Sequence, residues 1–81
     1  MLDPKQIETW IGDGLPCQHI AVEGDGHHFQ AVIVSAEFEG LNRVKRQQRV
    51  YQTVLDKLNS GELHAISLQT LTPEEWKATN G

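Results

Sequence analysis

Four histidines, one cysteine and a short basic run are the side chains of this 81-residue sequence whose types and spacing suggest chemistry beyond folding. His64 stands near the start of an alternating stretch, Leu63 to Leu68, so it falls at the entry of a strand. A histidine within a strand is more often a half-buried residue with a satisfied ring nitrogen than a ligand, but a strand's first residue escapes the packing that buries its successors. His27 and His28 are neighbours in a glycine-rich connection. Taken by themselves they are solvated loop residues, and two adjacent imidazoles cannot complete a tetrahedral zinc site without the CxxC or HExxH partners that this chain lacks. Cys17 follows Pro16 and reads as a small, partly buried thiol with no cation beside it in sequence to activate it. A mixed disulfide or a place as a third ligand are its other uses. His19 alternates with Ile20 and is expected to face solvent.

Arg43, Lys45, Arg46 and Arg49 put four of the seven basic residues within seven positions. Cations at the start of a helix oppose its dipole, so the cluster calls for a use: docking an acidic partner, or contacting phosphates of DNA. No serine elbow, Walker sequence or carboxylate pair with catalytic spacing is present, and Gly24 to Phe29 misses the dinucleotide fingerprint because Phe29 occupies the third glycine position. The chain is not expected to be an enzyme.

Three helices and three strands must position these groups. Asp3, Pro4 and Gln6 spell a helix start, with Leu2 able to pack on Ile7. Ile7, Trp10 and Ile11 form one apolar stripe before Gly12, Gly14 and Pro16 end the helix. Gln18 to Glu23 reads as a strand, Gly24-Asp25-Gly26 as a reversing turn with positive φ, and His28 to Phe38 as a long central strand. Asn42 can cap a helix running to about Asn59, with Tyr51, Val54, Leu55 and Leu58 on its apolar face. After Ser60-Gly61 comes the strand Leu63 to Leu68, and Thr72, Pro73 and Glu75 form a capping box for the last helix, with Leu71 stapled to Trp76.

A strand, a helix and a strand make a crossover, so the third strand should run parallel to the second, and the first antiparallel to it. The expected fold is α+β: a two-layer sandwich of order α-β-β-α-β-α, with a three-stranded mixed sheet and its helices on one face. One domain, 1–81, fits the length. With 38% hydrophobic and 22% charged residues the chain is a globular domain, and its net charge of −4 works against general attraction to nucleic acid or anionic lipid. A single cysteine excludes a disulfide framework. No signal-peptide pattern or apolar span points to a membrane, so the cytoplasm is the expected location.

The segments His64-Ala65-Ile66-Ser67-Leu68 and Leu71-Thr72-Pro73-Glu74-Glu75-Trp76, read with Phe38-Glu39-Gly40 and the run Arg43 to Tyr51, resemble the BolA family, and the paired glutamines Gln47 and Gln48 resemble its IbaG-like branch. The similarity covers about Ile20 to Trp76 in one register. It implies a fold similar to the type II KH domain, although the GxxG loop with which KH domains clamp nucleic acid is missing here. It also implies an adaptor in iron–sulfur cluster trafficking or iron sensing. His64 matches the family's histidine ligand to a 2Fe-2S cluster shared with a monothiol glutaredoxin and glutathione. His28, placed ahead of His27, falls where the family carries its variable second ligand. On this resemblance the isolated protein is expected to hold no cofactor and to be a monomer or weak homodimer. The alternative is a DNA-binding transcriptional regulator that uses the basic helix 43–49, with weak DNA binding expected.

Overall fold

The computed structural model describes residues 2–80. In chain order it contains α1 (Pro4–Gly14), β1 (His19–Gly24), β2 (His28–Val34), a 3₁₀ turn (Ala36–Phe38), α2 (Arg43–Thr53), α3 (Leu55–Ser60), β3 (Ala65–Leu71) and α4 (Pro73–Asn80). The sheet has the order β1-β2-β3. β1 runs antiparallel to β2 and β3 parallel to it, in a register from His28 opposite Ala65 to Val34 opposite Leu71. The mixed α+β sheet is as the sequence predicts, and β2 is its centre.

Local chemistry sets the element ends. Asp3 accepts from the Lys5 N–H at 2.9 Å to start α1, and Asn42 accepts from the Lys45 N–H at 2.9 Å to start α2. Thr72 and Glu75 complete a reciprocal capping box on α4: the Thr72 N–H donates to Glu75 Oε1 at 2.8 Å and the Glu75 N–H donates to Thr72 Oγ1 at 3.2 Å. In the β1–β2 turn the two glycines have different reasons. Gly26 has φ 101°, whereas a Cβ on Gly24 would collide with the Phe29 ring and the His28 carbonyl.

One face of the sheet builds the core. Ile7 and Ile11 of α1, Val50 of α2, Val54, and Phe29, Ala31 and Ile33 of β2 are buried together with Leu15, Val22, Phe38, Leu63 and Leu68. Leu2, Trp10, Ile20, Tyr51, Leu58 and Ile66 pack partly exposed around them. Burial of this kind contributes roughly 25 cal/mol per Å² of apolar surface removed from water.

Three element boundaries differ from the sequence expectation. β2 stops at Val34 because Ser35, fully buried, turns the chain: its hydroxyl donates to the Pro16 carbonyl at 2.7 Å and accepts from the Glu37 N–H, leaving Phe38 in a 3₁₀ turn that drives its ring into the core. The expected long helix breaks at Val54 (φ −123°, ψ 15°), whose N–H bonds the Tyr51 carbonyl at 3.1 Å. The break keeps Val54 buried and turns Leu55 outward, 51% exposed, so Leu55 does not belong to the core stripe. β3 begins at Ala65 and reaches Leu71, because it pairs with every residue of β2. Leu63 precedes the strand, buried in the core, with its N–H on the Lys57 carbonyl.

Candidate functional sites at the two ends of β3

At the entry end of β3 the parallel register does what spacing in sequence cannot show. Pairing His28 with Ala65 carries the β1–β2 turn to the residue before β3, and there the rings of His27 and His64 stand 5.8 Å apart between centroids, tilted by 40°. Both residues are exposed. The turn is held by Asp25, whose Oδ1 accepts from the backbone N–H groups of both His27 and His28 at 2.9 Å. These two bonds hold the Asp25 carboxyl below the usual range, because they favour its charged form. His28 points its ring Nδ1 toward the same carboxylate, at 4.0 Å. The structure therefore brings His27 to His64, and places the sequence's first choice, His28, beside Asp25.

Two imidazoles on one rim are borderline donors of the kind iron accepts. Among the described residues no group of three or more histidine, cysteine or acidic side chains is gathered to hold a metal. Cys17 cannot join the pair. It precedes β1 at the end where His19 pairs with Val34, and the seven residues of β2 separate that end from His28 by about 20 Å. Its thiol donates to the Leu15 carbonyl at 3.1 Å, and burial, then Glu37, push its pKa up, which keeps it protonated and unreactive.

The exit end of β3 holds the basic cluster, and half of that cluster is structural. Arg46, 15% exposed in its side chain, donates from Nε to the Leu41 carbonyl at 2.9 Å, from Nη1 to the Thr70 carbonyl at 3.3 Å, and from Nη1 to Glu75 Oε1 at 2.7 Å. It thereby ties α2 to β3 and to the capping box of α4. Its hydrogen bond, followed by that of the Thr72 N–H, holds the Glu75 carboxyl below its ordinary value. Arg49 pairs with Glu37 Oε1 at 3.1 Å and donates to the Gly14 carbonyl at 3.3 Å. Arg43 and Lys45 are exposed and make no ion pair among the described residues. An open cleft of about 690 Å³, lined by Arg43, Arg46, Leu68, Thr70 and Glu75 among others, lies between Arg43 and β3.

Local spacing does not join Glu75 and Glu37 to the arginines, since 29 and 12 residues separate the pairs. Alternation with Ile20 points His19 toward solvent, whereas the His19 ring is half-buried and stacks on Trp76 at 4.6 Å. The stack joins α4 to the first residue of β1. No helix among the described residues is long and apolar enough to cross a membrane.

The family model for BolA-like proteins matches residues 12–75. The chain is 36% identical to the acid stress protein IbaG of Escherichia coli over 75 residues, 93% of this chain and 89% of that protein. It is 47% identical over 62 residues to the DNA-binding transcriptional regulator BolA of Haemophilus influenzae, covering 76% of this chain and 59% of that one. The structure of a BolA protein homologue from Coxiella burnetii superposes with a TM-score of 0.81 at 38% identity, covering 95% of this chain and 99% of that one.

Proposed function

From its membership of the BolA family, we propose that this chain is a non-enzymatic adaptor that binds a monothiol glutaredoxin and shares or accepts its 2Fe-2S cluster. The observation that carries the reading is the exposed His27–His64 pair, two imidazoles from distant parts of the chain set side by side on a rim that a partner can reach. His64 and His27 are the residues that would ligate. A cluster is normally fixed by four protein ligands, so two histidines require the partner's thiolates to complete the set, which is what sharing means chemically. Histidine in place of thiolate lowers the negative charge on the cluster and raises its potential. The roles of this chain's own residues are then specific. Asp25 fixes the turn that presents His27, and the β2–β3 register fixes His64 against it.

The test is to mix the protein with a cluster-loaded monothiol glutaredoxin and record visible circular dichroism. The expected result is a new spectrum that His64→Ala abolishes and His27→Ala weakens more than His28→Ala. Folded variants that exchange clusters with an unaltered spectrum would remove the ligand assignment.

A second reading has one specific support. Arg43 and Lys45 are exposed and unpaired among the described residues, and a DNA-binding regulator is among the relatives. With Arg46 and Arg49 held by Glu75 and Glu37, two free cations supply little counterion release, so binding to DNA should be weak and its affinity should fall with salt on a shallow slope. Submicromolar, salt-resistant and sequence-specific binding would reverse the order of the two readings.

A further inference from the structure

The two edges of the sheet are treated differently. On β1 the backbone of Val22 faces outward, and its N–H donates to Glu8 Oε2 at 3.1 Å, so α1 plugs the middle of that edge. On β3 the residues alternate: Leu71 turns its carbonyl to β2, accepting from the Ser35 N–H at 3.0 Å, and the even-numbered residues Ile66, Leu68 and Thr70 turn theirs to the free edge. Two of those three carbonyls are taken, that of Ile66 by the Tyr51 hydroxyl at 3.4 Å and that of Thr70 by Arg46. Between them, the N–H and C=O of Leu68 and the N–H of Thr70 have no hydrogen-bond partner among the described residues, and they open on the 690 Å³ cleft.

We propose that this stretch of the β3 edge is a docking site for an extended acidic peptide segment of another protein, which adds to the sheet as a fourth strand. Strand addition requires unpaired backbone groups at strand spacing with room beside them, and both are present at Leu68–Thr70. The chemistry of the occupant follows from the imbalance of the edge. With the Ile66 and Thr70 carbonyls occupied, two donors face one acceptor, and Arg43 adds an uncompensated positive charge at the mouth while Arg46 and Glu75 offset each other. An acceptor-rich, negatively charged segment complements this. Single-stranded nucleic acid is the poorer match, because none of the residues lining the cleft is aromatic and stacking is its principal source of affinity. The Val44, Gln47 and Tyr51 side chains line a second hollow of about 390 Å³ that shares Arg43 with the cleft, giving room for the alternate side chains of an added strand. This site is independent of the histidine rim, so the failure of either leaves the other standing.

The experiment uses isotope-labelled protein, amide NMR and an acetylated heptapeptide alternating glutamate with valine and threonine. The expected result is shifts at the segment 66–71 and at the residues lining the two hollows, Arg43, Val44, Gln47 and Tyr51 among them, slowed hydrogen exchange at the Leu68 and Thr70 amides, and affinity reduced about tenfold or more by Arg43→Glu. Two further peptides, each N-methylated on one alternate set of residues, should behave oppositely: the set facing β3 loses binding and the other keeps it. The proposal is overturned if the parent peptide produces no shifts at millimolar concentration, or if both methylated peptides bind as well as the parent. It is equally overturned if an oligothymidine binds the cleft more tightly than the peptide, or if the two amides are already protected in a concentration-dependent way, which would make a second copy of this chain the occupant.

Discussion

The two ends of β3 are built on opposite principles. At its exit, one guanidinium serves two carbonyls and a carboxylate that is itself half of a helix cap, so α2, β3 and α4 share a single bonded node. At its entry, His64 ahead of β3 and His27 in the Asp25-held β1–β2 turn stand exposed side by side, their imidazoles adding little to the fold. The contrast teaches how to weigh polar residues in a small domain. Arg46 looks functional in sequence because it sits in a basic run, yet its bonds are spent on the architecture; His64 looks like an ordinary strand residue, yet its ring is left available.

The comparison breaks most sharply at Arg46. Arg46→Ala leaves the Leu41 and Thr70 carbonyls without their donor, which should cost about 1–3 kcal/mol. For a domain of this size that lowers the midpoint of thermal unfolding by on the order of 10 °C, read by calorimetry. A midpoint within a degree of the unaltered protein would show the node to be ornamental. Thr72→Ala removes only one side of the cap and should cost roughly 1 kcal/mol in denaturant titration. Arg49→Ala breaks a half-exposed pair with Glu37, and its effect should stay below about 1 kcal/mol. At the other end His64→Ala should change stability by less than about 0.5 kcal/mol. Unfolding of that variant would mean that the rim histidine belongs to the core after all.

Acid sharpens the same contrast. Glu75 and Asp25 both have folded pKa values below their ordinary 4.5 and 3.8, so in the window beneath those values the unfolded chain binds more protons than the native one. Their contribution is present in full above about pH 5 and is lost as pH falls through the depressed values. Urea titrations at pH 3 and pH 6 should therefore differ, and Glu75→Gln should shrink the difference more than Asp25→Asn, since Glu75 joins three elements and Asp25 a single turn.

What was legible in the sequence was local. The caps at Asp3, Asn42 and Thr72 are written in residues three or fewer positions apart, and the structure uses all three. The order of elements and the parallel pairing follow from the crossover rule. The break at Val54 was hidden because apolar residues continue at helical spacing through it. The end of β2 was hidden because Ala36 and Phe38 prolong the apolar run, although Ser35 ahead of Glu37 carries a capping signal that the alternation masks. The meeting of His27 with His64 depends on the register between β2 and β3, and the grip of Arg46 on Glu75 on how α2 and α4 are placed at the end of β3, neither of which local spacing encodes.

The Glu8 carboxylate on the Val22 N–H sets a limit on assembly. A sheet that can accept strands on both edges propagates: each added molecule presents a fresh edge, and the product is a filament. With the middle of β1 held by α1, the proposed docking edge of β3 would be the one receptive margin, and strand addition would stop after a single newcomer, whether foreign or a twofold-related copy. One acidic side chain in the first helix thus helps to make the sheet one-sided toward other strands, and Glu8→Ala is the change that would free the Val22 N–H on its other edge.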